Sequence, residues 1–289
     1  DIGNARFAGH RGGDRVEAGV GRDTMIGGGG DDLLNGEEGG DLVSYASASG
    51  GVRVNLAVTT SQLIGGGQGR DTLLSVENLN GSAYADVLTG SAAANVLVGG
   101  AGNDVLTGGV GNDTLNGGFG RDTAGFGGAS GGVTVNLAVT RAQAIGGGQG
   151  TDLLTGIENV NGSRHGDRLD GSAGDNTLYG AGGADVMRGA AGNDLLRGGI
   201  GNDSMAGGRG ADAFVFATGE GSDRISDWQD GVDSIRITSG SWQGHVYDSF
   251  DDLDIGQSGA NAVIRLGGTT ITLAGTDADV LGASDFHFV

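Results

Sequence analysis

Apolar side chains recur every nine residues along most of this chain, and each stands two positions after an Asp or an Asn. Residues 99–107 read GGAGNDVLT, and residues 108–116 repeat the pattern as GGVGNDTLN. The shared pattern is G-G-x-G-x-D-x-U-x, in which U is a large aliphatic residue. We count 17 such units: 4 in residues 9–44, 5 in 81–125, 6 in 162–215, and single units around Asp71 and Asp152. A fixed period of this length predicts a solenoid of stacked coils.

The eighth position of the unit defines a face that should be buried. All but one of the side chains there are bulky and apolar, and Ala124 is the exception. The bulky residues are Val16, Met25, Leu34, Val43, Leu73, Leu88, Leu97, Leu106, Leu115, Leu154, Leu169, Leu178, Met187, Leu196, Met205 and Phe214. The segment x-U-x predicts a three-residue strand whose middle side chain points to one face. These side chains are therefore predicted to fill a thin core between two sheets.

Glycine dominates the first half of the unit. The segment G-G-x-G-x-D predicts a tight loop, because Gly reaches positive φ at little steric cost and lets loop carbonyls turn inward. Two nonapeptides complete one coil, so every second loop stacks on the same edge at the strand spacing of about 4.8 Å. The pattern predicts an all-β fold, a parallel β-roll with loops along both edges.

The sixth position carries the chemistry. Its residues are Asp14, Asp23, Asp32, Asp41, Asp71, Asp86, Asn95, Asp104, Asp113, Asp122, Asp152, Asp167, Asn176, Asp185, Asp194, Asp203 and Asp212. Carboxylates stacked in neighbouring coils repel one another. Ca²⁺ relieves the repulsion because it takes six to eight oxygen ligands from carboxylates and carbonyls. We therefore predict two rows of Ca²⁺ ions, each ion shared by loops that lie one coil apart.

Main-chain carbonyls of the loops should complete these calcium sites. The candidates are Gly100, Gly102, Gly109, Gly111, Gly118, Gly120, Gly199, Gly201, Gly208 and Gly210. Asn95 and Asn176 keep an oxygen but lose a charge, so their sites should be weaker. Four scattered His and no Cys argue against Zn²⁺, and Mg²⁺ prefers a smaller, more regular octahedron.

A second, longer period of nine nonapeptides overlies the first. Residues 51–59 read GVRVNLAVT, and residues 132–140 read GVTVNLAVT. These stretches lie in two excursions, near residues 45–65 and 126–146, that depart from the nonapeptide. Their alternating Val and Leu residues predict strands. We interpret the excursions as wider coils or side hairpins within one duplicated solenoid.

Composition limits the alternatives. The 66 Gly and the net charge of −20 would also suit a disordered chain. The regular aliphatic position argues against disorder, except in the calcium-free state. The absence of Cys excludes disulfides and thiolate metal sites, and the acidity argues against nucleic acid. No apolar run is long enough to predict a membrane span. The chain begins inside a repeat and without a signal peptide, so we expect that a further segment preceded it.

Repeated through residues 9–215, this motif resembles the RTX (repeats-in-toxin) parallel β-roll of secreted haemolysins, lipases and serralysin-type proteases. The resemblance implies a calcium-binding β-roll over residues 1–215. It further implies a secreted protein, extracellular or at the cell surface, that leaves the cell through the type I secretion apparatus.

The composition changes from Phe214 onward, because both Trp and five of the eight Phe lie in residues 214–289. Residues 216–289 are predicted to form a β-rich cap over the last coil. This segment resembles the one that closes RTX modules in the serralysin group. Its final stretch, from Asp285 to Val289, resembles a type I secretion signal or forms an ordinary final strand. Asp223, Asp227, Asp230 and Asp233 are candidates for one more Ca²⁺ site or for a solvated acidic turn.

No catalytic centre is predicted in this chain. The zinc-protease motif H-E-x-x-H is absent, and no lipase nucleophile elbow with its partners is recognised. Three functions stay open: a calcium-dependent folding and secretion module of an exported protein that can carry an upstream enzyme domain; a stand-alone surface, adhesive or S-layer-like protein; and a polysaccharide-active, lyase- or epimerase-like solenoid. The last requires basic residues beside carboxylates on one face, and the Arg residues look scattered in the sequence.

Overall fold

A computed structural model describes residues 3–289, and its secondary structure is nearly all β. The first strands are β1 (Arg6–Ala8), β2 (Arg15–Glu17), β3 (Val20–Gly21), β4 (Thr24–Ile26), β5 (Leu33–Asn35), β6 (Glu38–Gly39), β7 (Leu42–Ser44), β8 (Arg53–Asn55), β9 (Gln62–Leu63), β10 (Arg70–Leu74), β11 (Asn78–Asn80), β12 (Val87–Thr89), β13 (Val96–Ala101), β14 (Val105–Thr107), β15 (Thr114–Phe119) and β16 (Thr123–Gly125). There follow β17 (Thr134–Asn136), β18 (Gln143–Ala144), β19 (Thr151–Thr155), β20 (Asn159–Asn161), β21 (Arg168–Asp170), β22 (Thr177–Gly182), β23 (Val186–Ala191), β24 (Leu195–Ile200), β25 (Ser204–Arg209), β26 (Ala213–Phe216), β27 (Ser222–Ile225), β28 (Ser234–Ile237), β29 (Gly240–Trp242), β30 (His245–Tyr247), β31 (Asp254–Ser258), β32 (Asn261–Leu266), β33 (Thr269–Leu273) and β34 (Phe286–Phe288).

Helical structure in the described part of the chain is limited to three single turns of 3₁₀ helix, at Phe250–Asp252, Ala278–Val280 and Ala283–Asp285. None of these turns has the length or the hydropathy of a helix that crosses a membrane. Each is a single short turn that links strands near the C-terminus.

The first compact unit comprises the residues up to Phe126 together with Val139–Ile157. One sheet has the strand order β1-β4-β7-β11-β13-β15-β19-β18, a second has β2-β5-β10-β9, and a third series runs β8-β12-β14-β16. Pairing is parallel except for β9–β10 and β18–β19. Leu97 lies opposite Leu115 and Leu88 opposite Leu106. This offset of two units confirms that two nonapeptides make one coil of a parallel β-roll.

The eighth position of every unit faces the core. All of its side chains are buried, from Val16 to Phe214, and Ala124 is fully enclosed. The strands are short because only one inward side chain separates consecutive glycine loops. Such a core is thin, so each coil depends on its neighbours for burial.

The first excursion combines both predicted geometries. Strand β8 extends a sheet of the roll by pairing in parallel with β12. Strand β9 turns back antiparallel to β10, and Val52 bridges Gly65. At its start Tyr45 is buried and donates its hydroxyl to Asp71 Oδ2 at 2.9 Å.

The second compact unit comprises Gly127–Ala138 and Glu158–Val289. One strand series runs β20-β22-β24-β26-β28-β34 and the other β17-β21-β23-β25-β27-β33-β32-β31. The predicted boundary after residue 215 falls inside β26. Beyond it, β27 pairs in parallel with β33 and β28 with β34, so the cap continues both sheets. The division into a roll and a separate cap domain stays a prediction.

Strands β29 and β30 pair antiparallel and form a small hairpin in the second unit. The Trp242 side chain packs against Gly219, Gly267 and Gly268, where a Cβ atom would come within 2.8 Å of it. Glycine at these three positions therefore forms the slot that holds the ring.

Candidate calcium-binding loops

A ladder of carboxylates follows the loops. In every predicted pair 18 residues apart, the main-chain N–H of the earlier position-six residue donates to the Oδ1 atom of the later one. Asp86 N lies 2.8 Å from Asp104 Oδ1, and Asp185 N lies 2.8 Å from Asp203 Oδ1. The ladder fixes one oxygen of each carboxylate and directs the other into its own loop.

In many of these loops the second oxygen, Oδ2, has no hydrogen-bond donor. Nine Oδ2 atoms are buried and accept no hydrogen bond within residues 3–289: those of Asp23, Asp32, Asp41, Asp104, Asp113, Asp185, Asp203, Asp212 and Asp223. A buried carboxylate oxygen without a donor costs on the order of several kcal/mol. Because the same oxygen lacks a donor in loop after loop, these loops fit a bound cation better than a local packing defect.

The backbone of these loops supplies a cradle of carbonyls. We call a loop open when its second position has positive φ; the open loops end at Asp23, Asp32, Asp41, Asp71, Asp104, Asp113, Asp122, Asp152, Asp185, Asp194, Asp203, Asp212 and Asp223. All the glycines predicted to offer carbonyls have positive φ, for example Gly100 at 116° and Gly118 at 102°. A Cβ on Gly118 would collide with the Gly100 carbonyl oxygen of the preceding coil. Main-chain oxygens and carboxylates thus crowd together along each edge.

The raised pKa values of the position-six carboxyl groups also favour a bound cation. Burial, together with the charges of Asp86 and Asp122, raises the pKa of Asp104 to about 7, against the lowering effect of the Asp86 N–H. Burial likewise raises the pKa of Asp185 to about 7, with contributions from Asp203 and Asp167. Within residues 3–289 no cluster of three or more His, Asp or Glu side chains forms a metal site by itself. Carboxylates combined with main-chain carbonyls fit a hard cation such as Ca²⁺.

Four loops differ from this pattern, and we call them closed. They span residues 81–86, 90–95, 162–167 and 171–176, carry Ser at the second position, and have no positive φ. Ser82 donates its N–H to Asp86 Oδ2 at 2.5 Å and its hydroxyl to Asp86 Oδ1 at 2.7 Å. Ser163 does the same for Asp167, at 2.6 and 2.7 Å. These carboxylates are satisfied by the protein itself.

The two asparagines of the row belong to closed loops as well. Asn95 Oδ1 accepts the Ser91 N–H at 2.7 Å, and its amide donates to the Glu77 carbonyl at 2.7 Å. Asn176 repeats these contacts with Ser172 and with the carbonyl of Glu158. Asp14 is an intermediate case, since it is half-buried and accepts the His10 N–H at 2.9 Å.

The two single units continue the ladder across a longer interval. Asp32 N donates to Asp71 Oδ1 and Asp113 N to Asp152 Oδ1, each 39 residues apart. Burial raises the pKa of Asp71 to about 6, although the Tyr45 hydroxyl lowers it. Burial raises the pKa of Asp152 to about 7.

Of the four acidic residues considered in the cap, Asp223 and Asp233 continue the carboxylate ladder. The loop of Asp223, residues 218–223, reads TGEGSD, and Asp203 N donates to Asp223 Oδ1 at 2.9 Å. Asp233 accepts from Asp212 N at 3.1 Å and from Gln229 N at 2.9 Å. Asp227 caps the N–H groups of residues 207 and 208, and Asp230 is exposed.

Two elements of the site escaped the sequence pattern. Glu77 takes a place in the ladder, because its Oε2 accepts the Asp41 N–H at 2.8 Å. A second ladder uses the fifth position of the unit: Asn103 Oδ1 accepts from Arg121 N, and Asn202 Oδ1 accepts from Ser222 N, both at 2.9 Å. The recurrent Gly-Asn-Asp triplet in the sequence could have predicted this second ladder, because its Asn stands at the fifth position.

No nucleophile elbow emerges from the described residues. Residues 128–132 read GASGG and match the letters G-x-S-x-G. They lie in a bend that leads into strand β17 rather than into a helix. The strand–turn–helix context of that motif is therefore missing there.

The match to a family model agrees with this geometry. The family model of the RTX calcium-binding nonapeptide repeat matches residues 9–43, 76–102, 89–124, 161–196 and 182–214. Among solved structures, the AlgE6R3 subunit of the mannuronan C5-epimerase from Azotobacter vinelandii is 33% identical over 44% of this chain and 80% of that chain, with a TM-score of 0.35. The extracellular lipase LipA from Serratia marcescens is 17% identical over 71% of this chain and 40% of the lipase, with a TM-score of 0.33. No curated protein sequence matches the chain.

A roll of parallel strands with glycine–aspartate loops on its edges defines the class of calcium-binding β-roll proteins. The chain belongs to the RTX calcium-binding nonapeptide repeat family, whose repeats bind calcium.

Proposed function

We propose that this chain is the calcium-driven folding module of an exported protein and is itself non-catalytic. The observation that carries the proposal is the set of nine buried Oδ2 atoms without a donor. Without a cation these oxygens oppose folding, and with Ca²⁺ they become ligands. Binding to the folded state alone stabilises that state by mass action, and many sites multiply the effect.

The open loops would hold the ions. Each site would combine the position-six carboxylates of two loops in adjacent coils with loop carbonyls such as those of Gly100 and Gly102. Glu77 would contribute to the site beside Asp41. The closed loops would hold no ion. Asp86, Asn95, Asp167 and Asn176 would therefore leave the set of calcium ligands that the sequence predicts.

A calcium titration tests the proposal. Circular dichroism in chelator should show a largely disordered chain, and millimolar Ca²⁺ should restore β-structure cooperatively. Mg²⁺ at the same concentration serves as the control. Identical spectra with and without Ca²⁺ would contradict calcium-driven folding.

Export follows from the scarcity of cytosolic calcium. Sites of the extracellular class, with Kd of about 10⁻⁴–10⁻³ M, stay empty in the cytosol and fill outside the cell. The charge of −20 keeps the empty chain extended, and the absence of Cys leaves no disulfide to form on the way. Extracellular calcium then folds the roll.

The C-terminus is the proposed signal for a type I apparatus. Deletion of residues 276–289 should abolish secretion from a type I-competent host. Because β34 also pairs with β28, the deletion removes a strand of the cap. Fusion of residues 216–289 to an unrelated passenger separates the two roles. Undiminished secretion of the truncated chain would contradict a secretion signal in residues 276–289. Failure to export the fusion would contradict a signal in residues 216–289.

Contact with an acidic polysaccharide is a second candidate function. The structure brings together residues that looked scattered in the sequence: Arg168 and Arg188 flank Asp170 on adjacent strands, at 2.7 and 3.3 Å. Arg224 lies further along the same sheet face, beside Ser204. Binding of a polyuronate at saturating Ca²⁺ should weaken with salt and be lost in an R168A/R188A variant. An R209A variant, changed at the far end of strand β25, is the control, and equal binding by both variants would refute this contact.

A further inference from the structure

Consecutive closed loops make one complete coil in each compact unit. Residues 81–98 contain the loops that end at Asp86 and Asn95, and residues 162–179 contain those that end at Asp167 and Asn176. Both edges of these two coils are therefore closed. We call them the closed coils.

The carboxylate of each closed coil is saturated with donors. Asp86 accepts from the N–H and the hydroxyl of Ser82 and from Val52 N at 2.7 Å. In the second coil, Asp167 accepts from the same two groups of Ser163 and from Val133 N at 2.8 Å. The donors Val52 and Val133 come from the excursions, which tie each excursion to its closed coil.

On the opposite edge of each closed coil, the position-six residue is uncharged. Asn95 and Asn176 replace a carboxylate with an amide, whose NH₂ group donates to the carbonyl of Glu77 or Glu158. The core positions Leu88, Leu97, Leu169 and Leu178 are completely buried. Within each closed coil, neither repulsion between position-six carboxylates nor an unsatisfied position-six oxygen opposes folding.

We propose that the closed coils fold without calcium and act as the templates on which the open loops load. The proposal rests on calcium-driven folding of the open loops. Asp86 N and Asn95 N already present donors to Asp104 Oδ1 and Asp113 Oδ1. The first carboxylates of the next coil are thereby oriented before an ion arrives, and loading proceeds away from the template.

Hydrogen–deuterium exchange of the whole chain in chelator tests the proposal. Main-chain amides in residues 81–98 and 162–179 should be protected without Ca²⁺, and amides in residues 99–122 and 180–212 only with it. Protection nowhere in chelator but everywhere with Ca²⁺ would overturn the templates and leave calcium-driven folding intact. Uniform protection in chelator would overturn both.

A variant with an internal reference sharpens the test. S82A/S91A removes the serine hydroxyls from the first closed coil and leaves the second one untouched. Exchange in residues 81–98 in chelator should become faster by about tenfold or more, since hydrogen bonds to buried polar groups are lost, whereas residues 162–179 keep their rates. S204A, changed on a strand surface, is the control. Unchanged exchange in residues 81–98 would overturn the proposal, provided that the dichroism of the variant in Ca²⁺ shows a folded roll.

Discussion

The carboxylates of Asp86 and Asp104 lie in neighbouring coils, but their Oδ2 atoms differ in hydrogen bonding. Asp86 Oδ2 accepts the Ser82 N–H, whereas Asp104 Oδ2 is buried without a donor. The difference lies at the second position of each loop, where Ser82 stands in one and Gly100, with φ of 116°, in the other. The main-chain conformation at the second position therefore distinguishes a loop that satisfies its own carboxylate from one that leaves it for an ion.

This contrast predicts unequal effects on calcium binding. D104N should lower the calcium stoichiometry or weaken the site that Asp104 shares with Asp122, because it removes a charged ligand from a pair of open loops. D86N, the matched control, should leave the stoichiometry unchanged. Isothermal titration of the two variants decides, and equal losses would contradict the division into open and closed loops.

Main-chain strain gives a second matched pair. Ser75 has φ of 49°, and its counterpart in the second copy of the long period, Gly156, has φ of 57°. Positive φ costs a residue with a Cβ about 1–2 kcal/mol, partly offset by the chain entropy of Gly.

S75G should therefore stabilise the calcium-loaded protein by about 0.5–1 kcal/mol, and G156S should destabilise it by a similar amount. Chemical denaturation in saturating Ca²⁺ measures both changes. A loss of stability in S75G would show that the Ser75 side chain makes a contribution larger than the strain.

At the scale of the element, a coil consists of two short strands and two loops around a thin core. L106A should cost about 2–5 kcal/mol, because Leu106 is fully buried and the cavity has few neighbours to fill it. V110A, at an exposed loop position, should be nearly neutral. Equal midpoints of thermal unfolding in Ca²⁺ would show that the coil relaxes around the lost side chain.

The strands, the core and the pairing of loops one coil apart could be predicted from the sequence, because a strict period leaves one way to bury an aliphatic in every unit. The closed loops could not be predicted from the sequence. Ser82 and its counterparts change φ at the second position of the loop but leave the nine-residue period unchanged. Asp223 was predicted as one of four acidic candidates but not as part of the ladder, because its separation from Asp203 is longer than the regular interval. Glu77 was missed because no glycine loop precedes it.

At the scale of the whole molecule, acid should partly replace calcium. The pKa of Asp104 and of Asp185 is raised to about 7 in the calcium-free fold, against about 3.9 in an unfolded chain. A carboxyl group with a raised folded pKa destabilises the fold above that pKa, and the penalty disappears as the pH falls from about 7 toward 4. The chelated protein should therefore gain β-structure between pH 8 and pH 5, as measured by circular dichroism. A flat profile over this range would contradict the burial of these carboxylates.

The long steps of the ladder, from Asp32 to Asp71 and from Asp113 to Asp152, have a consequence for engineering. Each step inserts more than a whole additional coil's length of chain and still returns it to the same column of carboxylates. The positions at which the excursions leave and rejoin the coils are therefore sites where other segments can be inserted. A foreign peptide whose ends are held as closely as those of the excursion could be displayed there, and its presentation could be switched by calcium.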